Sequence, residues 1–216
     1  MNTDIVAYYR KRANEYEKVY QKPERQDELK EITDWMQESF SNKTVFEIAC
    51  GTGFWTQRIS ESALSIFATD INDEVLDIAM SKLYRRPNVH FEKDDIFNLQ
   101  HKHKHDAMFG GFIWSHIKLG DLGKFIDICN NCVHPGGSVV FIDNNYVEGN
   151  SHPITKTDDE GNTFQTRKLA DDSMHLVLKN FPNKDLILKV LKDKATDINF
   201  ISLKYYWLLQ YRTPIV

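Results

Sequence analysis

The stretch Glu47-Ile48-Ala49-Cys50-Gly51-Thr52-Gly53 decides the reading of this 216-residue chain. Residues 45–49 form an apolar, β-rich run, and from about residue 53 to 60 the pattern turns helical. A strand that passes into a helix through glycines brings backbone N–H groups and a helix N-terminus against a ligand. Glycine supplies the dihedrals and the close approach that such a turn needs. Glu47 interrupts the apolar run, where an unpartnered carboxylate is costly. It calls for a ligand ammonium or for backbone donors near the loop. A glutamate that only caps neighbouring N–H groups is the plainer alternative.

Outward from this turn, strands at 65–69, 89–92, 107–113 and 138–142 alternate with helices at 72–83 and 121–133. In the first of these helices Val75, Leu76, Ala79, Met80 and Leu83 fall on one side. Apolar strands alternating with helices predict a parallel sheet covered on both faces. Upstream, Ile5, Tyr9, Ala13, Tyr16 and Tyr20 make one helical stripe, broken by Pro23, and Leu29, Ile32, Trp35 or Met36, and Phe40 make a second. Downstream, residues 146–175 are polar, with strands at 163–169 and 174–178 flanking a turn. A helix at 183–192 and closing strands at 198–203 and 205–211 end the pattern.

Two acids follow the glycine loop at telling distances. Asp70 ends the second strand about 20 residues on, where a carboxylate accepts hydrogen bonds from ribose hydroxyls. Asp95 follows the third strand within Lys93-Asp94-Asp95-Ile96-Phe97, placed to bond an exocyclic amine between apolar neighbours. Asp94 is the alternative inward-pointing acid, and two solvated loop acids are the bland reading.

These residues carry a resemblance. The order Glu-x-Ala-Cys-Gly-Thr-Gly, Asp70-Ile71, Asp95-Ile96 resembles the class I methyltransferases that use S-adenosylmethionine (SAM). It is similar above all to small bacterial enzymes of the group that includes quinone-biosynthesis methyltransferases. The opening Tyr8-Tyr9-Arg10-x-Arg12-Ala13-x-x-Tyr16 resembles that group's lid helix. The resemblance implies that Glu47, Ala49, Cys50, Gly51 and Gly53 hold the methionine part of SAM and that Asp70 and Ile71 hold the ribose. Asp95, Ile96 and Phe97 would hold the adenine, with Trp55 and Gly111 beside the cofactor and Tyr9 closing over it. Ala49 departs from the glycine frequent at that position, a change expected to be mild.

The expected fold is α/β: one domain over 1–216 with a Rossmann-like, doubly wound, seven-stranded, mostly parallel sheet. Residues 1–42 would be an N-terminal helical lid, 43–145 the cofactor-binding core, and 146–178 a substrate-side β-hairpin insertion after strand five. Residues 179–216 would supply the last helix and the closing strands.

In such a sheet, ligands bind beyond the carboxyl ends of the strands, so residues 110–116 and 143–146 would face the acceptor. His116 is the first choice of general base, since histidine titrates near working pH; a purely structural histidine is the alternative. Tyr146 is a second candidate, as pocket wall or hydrogen-bond donor. Arg167 and His175 are placed to grip an anionic or polar substrate, although a solvated hairpin face is the plainer reading. The tetrad of Asp or Asn, two prolines and an aromatic residue that marks methylation of nucleic-acid bases is missing after strand four.

Composition narrows the class. Hydrophobic residues make up 41% and charged residues 27%, with a formal net charge of −4. That balance argues against a general nucleic-acid binder. No apolar run approaches the ~18 residues of a membrane span. The start, Met1-Asn2-Thr3-Asp4, lacks the basic opening of a signal peptide. Three cysteines make no disulfide framework and fit a reducing cytoplasm. Cys129-x-x-Cys132 reads as helix packing rather than a metal pair, and His101, His103 and His105 as a solvated connector.

The expected activity is SAM-dependent transfer of a methyl group to an O or N atom of a small molecule, with a homodimer left open and no metal. The alternatives are a non-catalytic SAM-binding module, an NAD-type oxidoreductase, and an RNA or protein methyltransferase. The oxidoreductase would need its third glycine at position 56, which is Thr56, and Trp55 would crowd a pyrophosphate.

Overall fold

The computed structural model describes residues 4–101 and 103–215, so residues 1–3, read above for the lack of a basic leader, lie outside it. The chain opens with helix α1 (Ile5–Arg12), a 3-10 helix over Ala13–Gln21, and α2 (Gln26–Ser39). Then come β1 (Thr44–Ile48), α3 (Phe54–Ile59), β2 (Ser65–Asp70), α4 (Asp73–Ser81), β3 (Val89–Lys93) and β4 (His105–Gly111). They are followed by α5 (Leu122–Asn131), β5 (Val133–Asn144), and a separate small sheet of β6 (Lys156–Thr157), β7 (Thr163–Lys168) and β8 (Met174–Leu178). Helix α6 (Lys184–Leu191), β9 (Thr196–Ser202) and β10 (Tyr206–Arg212) complete the chain.

The main sheet has seven strands in the order β3-β2-β1-β4-β5-β10-β9. Strand β10 runs antiparallel to both of its neighbours, and the other six are parallel. Successive strand residues point to opposite faces. Val45 therefore joins a core with Ile32, Met36 and Phe40 of the α2 side, while Phe46 and Ile48 join the core of α5 and α6. Glu47 has the parity of Val45 and lies on the α2–α3 side.

Four expectations change in detail. The first apolar stripe is not one helix. It tightens into a 3-10 helix at Ala13, which carries the chain across to Tyr20, whose ring stacks on Phe54 at 3.7 Å. On α4 only Val75, Leu76 and Ala79 are buried, whereas Met80 and Leu83 are exposed. Helix α4 ends at Ser81, so Leu83 has left the stripe. The insertion gains a third, two-residue strand, β6, on the edge of the hairpin. The histidine connector is not simply solvated. His101 and His105 share a hydrogen bond of 2.8 Å, and the His101 ring stacks on Phe67 and Phe46. Burial there pushes His105 down to about 4. Cys129 and Cys132 are free and packed into the α5–α6 core.

Helix α1 rests on the insertion through Tyr8, Leu169 and Val177, with Ile5 and Tyr9 beside them. The insertion in turn is tied to the segment after β4. Asn180 donates to the Ile117 carbonyl, and its backbone N–H donates to the Ser115 carbonyl. No helix among the described residues is long and apolar enough to cross a membrane.

Candidate functional site

A cavity of about 360 Å³ opens beyond the carboxyl ends of β1 to β4, under helix α1. Its place is the point where the strand order reverses, between β1 and β4. Tyr9, Ala49, Gly51, Asp70, Ile71, Asp95, Ile96, Phe97, Gly111 and His116 line it, and so does Asp94. Glu47, Cys50, Gly53 and Trp55 do not reach its surface. Glu47 and Trp55 are buried behind it, as is Cys50.

The two loop glycines have different jobs. Gly51 has φ +55, and a Cβ built on it meets nothing within 4 Å, so the site keeps open space that a side chain would enter. Gly53 has φ +73, and a Cβ there would lie 2.9 Å from the Ala79 Cβ, so it lets α4 pack close. Ala49 also adopts a left-handed conformation, at φ 50. The alanine costs roughly 1 kcal/mol that glycine would not, so the change from the family's residue bears on backbone strain as well as on closeness. Phe112, at φ 58, is a third left-handed residue in the cavity wall, after Ala49 and Gly51.

The acids divide the work. Asp70 Oδ2 accepts the Gly51 N–H at 2.9 Å and Oδ1 accepts the Asn72 N–H at 2.9 Å, which fixes the carboxylate at the cavity edge. Asp94 is structural: it accepts the N–H groups of Asp95, Gln100 and His101 and so shapes the loop. Asp95 accepts the Phe97 N–H at 2.9 Å and sits beside Ile96 and Phe97 in the wall. Glu47 Oε2, Trp55 Nε1 and Thr56 Oγ1 are buried polar atoms without a hydrogen-bond partner among the described residues.

A second cavity, of about 140 Å³, adjoins the first and shares Tyr9, Tyr16 and Phe112 with it. Around it stand Arg12, Lys22 and Arg25 of the N-terminal segment, with Arg167 and Lys179 of the insertion side. Lys179 Nζ donates to Asp143 Oδ1 at 2.8 Å and to Ser115 Oγ at 2.6 Å. Asp143 Oδ2 accepts the Ser115 N–H at 2.9 Å, so this buried pair pins the turn that carries His116. Arg167 and His175 are buried, not on a solvated hairpin face: Arg167 donates to Gln165 and lies over the Tyr8 ring.

His116 is neutral. Burial first, then Lys179 and Arg167 nearby, hold it well below the usual histidine range. Its Nδ1 lies 2.6 Å from the Leu178 carbonyl, which can only accept, so Nδ1 carries the proton. Nε2 therefore accepts from the Tyr9 hydroxyl at 2.7 Å. Tyr146 lines neither cavity; it is exposed and packs edge-on to Phe181, which lines the second one. Arg12, Arg25 and Lys179 were not singled out from sequence. Arg12 and Arg25 belong to the N-terminal segment and Lys179 lies far along the chain, so only the fold brings them together.

The fold has solved counterparts. DhpI in complex with S-adenosylhomocysteine (SAH) is 23% identical with a TM-score of 0.79, covering 97% of this chain and 95% of that one. A SAM-dependent methyltransferase from Clostridium acetobutylicum is 19% identical with a TM-score of 0.67, covering 93% and 98%. The N-methyltransferase NodS from Bradyrhizobium japonicum, bound to SAH, is 13% identical with a TM-score of 0.59, covering 86% and 87%. No curated protein sequence matches the chain. Residues 45–137, from β1 through the glycine loop and both acids into β5, match the methyltransferase domain family. Residues 45–137 are thus similar to methyltransferase domains. The matched span holds the glycine loop, Asp70 and Asp95. The narrower likeness to quinone-biosynthesis enzymes rests on the sequence motifs alone.

The cofactor of a class I methyltransferase domain is SAM, and the residues here fit it. The space above Gly51 admits close approach, Asp70 has its carboxylate fixed for hydroxyl donors, and the unpartnered Glu47 and Trp55 atoms mark a polar demand behind the loop. Burial pushes the Glu47 carboxyl up to about 8. Its folded value lies above its unfolded one of 4.5, so the folded protein keeps a proton that the unfolded chain releases. Stability should therefore fall as pH rises across that window. Glu47→Gln keeps the neutral shape and is expected to flatten the fall. Thermal melts of the ligand-free protein at about pH 5 and about pH 8 check this; parallel slopes for both proteins would refute it.

Proposed function

We propose that this protein moves the methyl group of SAM onto an O or N atom of a small molecule held in the second cavity. The observation that supports the reading is the shared wall: Tyr9, Tyr16 and Phe112 border both cavities, so a donor in one and an acceptor in the other meet there. When bound, SAM supplies a methyl on a sulfonium. The protein's main task is to align the acceptor with it. Asp70, Asp95 and the 47–53 loop are read as the cofactor grip, and residues 1–42 as the lid. His116 is read as the base, receiving the acceptor's proton through the Tyr9 hydroxyl that occupies its Nε2. Tyr146 acts on the acceptor side by backing Phe181. The three free, buried cysteines favour a cytoplasmic setting.

Calorimetry tests the reading. SAM and SAH are expected to bind with one site each, and a nicotinamide dinucleotide is not. Label from methyl-labelled SAM should then appear in one member of a panel of small acids, alcohols and amines. Binding without transfer across that panel would favour a non-catalytic SAM module. Binding of the dinucleotide alone would overturn the assignment.

A further inference from the structure

We propose that the second cavity is an oxyanion site, and that the acceptor is a small molecule bearing a tetrahedral, phosphate-type group. The proposal rests on the methyl-transfer reading and names the acceptor class for it.

Charge is the first argument. Five cationic side chains, Arg12, Lys22, Arg25, Arg167 and Lys179, line about 140 Å³, and no Asp or Glu is among the lining residues. Glu24, exposed, accepts from Asn150 near Lys22 and Arg25, and a second acid, Asp143, stands behind the cations. It is fully buried and already engaged by Lys179 and by the backbone N–H groups of Ser115 and Asn144.

Burial is the second. Arg167 is only 8% exposed. Its Nε and Nη2 donate to Gln165 Oε1 at 3.2 and 2.7 Å, and no carboxylate among the described residues forms an ion pair with it. Arg25 Nε is likewise buried without a hydrogen-bond partner among the described residues. A buried charge is normally paired, because desolvation without compensation is expensive. The Tyr8 ring, 5.8 Å from the Arg167 guanidinium, offers a quadrupole but no countercharge. The surplus is felt by the neighbours: burial and then Arg167, Arg12 and Lys22 hold His152 below its ordinary range.

Geometry is the third. Five cations exceed what Asp143 and the exposed Glu24 balance. A doubly charged tetrahedral oxyanion presents three terminal oxygens, and the forked guanidinium is suited to such groups. The cations come from two sides. Arg12, Lys22 and Arg25 belong to the N-terminal segment, which also roofs the cofactor cavity through Ile5, Val6 and Tyr9. Arg167 and Lys179 belong to the insertion side. An anion between them draws the roof onto the body, so anion and cofactor should each tighten the other by the same factor.

Calorimetry of the SAH-loaded protein with inorganic phosphate, sulfate and acetate, at neutral pH and fixed ionic strength, tests this. Phosphate is expected to bind with one site, sulfate comparably, and acetate at least about tenfold more weakly. Arg167→Met and, separately, Arg12→Gln should each weaken phosphate at least about tenfold. SAH affinity measured without phosphate serves as the check that each variant is folded. Lys30→Gln, in an exposed helix pair with Asp34, should change nothing. If SAH binds and phosphate does not, or if phosphate binds equally to both arginine variants, the oxyanion site is wrong and the methyl-transfer reading stands. Acetate as tight as phosphate would overturn the tetrahedral assignment. Failure of the parent protein to bind SAH would instead sink the reading on which the proposal rests.

Discussion

Asp143→Ala is expected to destabilise the fold by about 3–5 kcal/mol, the cost of leaving one member of a buried ion pair alone. Lys179 and Asp143 are 5% and 0% exposed at their side chains, so water cannot take over for the lost carboxylate. The same change strips the Ser115 N–H and the Lys179 ammonium of their common acceptor. For a chain of this length such a loss lowers the melting temperature by about 10 °C. The double variant Asp143→Ala with Lys179→Met, which removes both charges, should recover a large part of the loss. Thermal and urea denaturation followed by circular dichroism measure both. A single-variant effect under about 1 kcal/mol would show that the pair is solvated and does not pin the His116 turn.

Asp70→Ala should weaken SAH by about 100-fold or more while the protein remains folded. A carboxylate accepting two ligand hydroxyls makes two charge-assisted hydrogen bonds, each contributing about 1.5–3 kcal/mol. The substitution also frees the Gly51 and Asn72 N–H groups, so part of the loss comes from the loop itself. Asp70→Asn separates the contributions, because it keeps an oxygen for one of those N–H groups but offers the ligand a weaker acceptor. Isothermal calorimetry reads the affinities. Unchanged binding in Asp70→Ala would remove this residue from the cofactor site.

The lining of the first cavity was legible because its residues sit at fixed places in the chain. Glu47 to Gly53, Asp70 and Asp95 each sit at a strand end, and strand ends converge in a parallel sheet whatever the loops do. The seven strands were legible for the same reason: apolar runs of the right length alternate with helical ones. The second cavity was not. Arg12, Arg25 and Lys179 belong to segments whose meeting depends on how α1 and the insertion pack, and nothing in their neighbours' periodicity encodes that. Arg167 was noticed, yet its burial was not, because a polar hairpin ordinarily faces water and this one is covered by Tyr8 and α1. Met80 and Leu83 misled by hydrophobicity alone, and α4 stops at Ser81, before Leu83. The tightening at Ala13 leaves little mark in the stripe, because the three-residue step from Ala13 to Tyr16 fits either kind of helix.

Every positively charged residue around the second cavity lies outside residues 45–137, the span shared with the methyltransferase domain family. Under the proposed function, most of the donor grip and all of these cations come from different stretches of polypeptide, with the N-terminal segment bordering both cavities. Under that division the flanks can diverge, or be grafted between homologues, to re-aim the enzyme at new recipients while the donor machinery stays untouched.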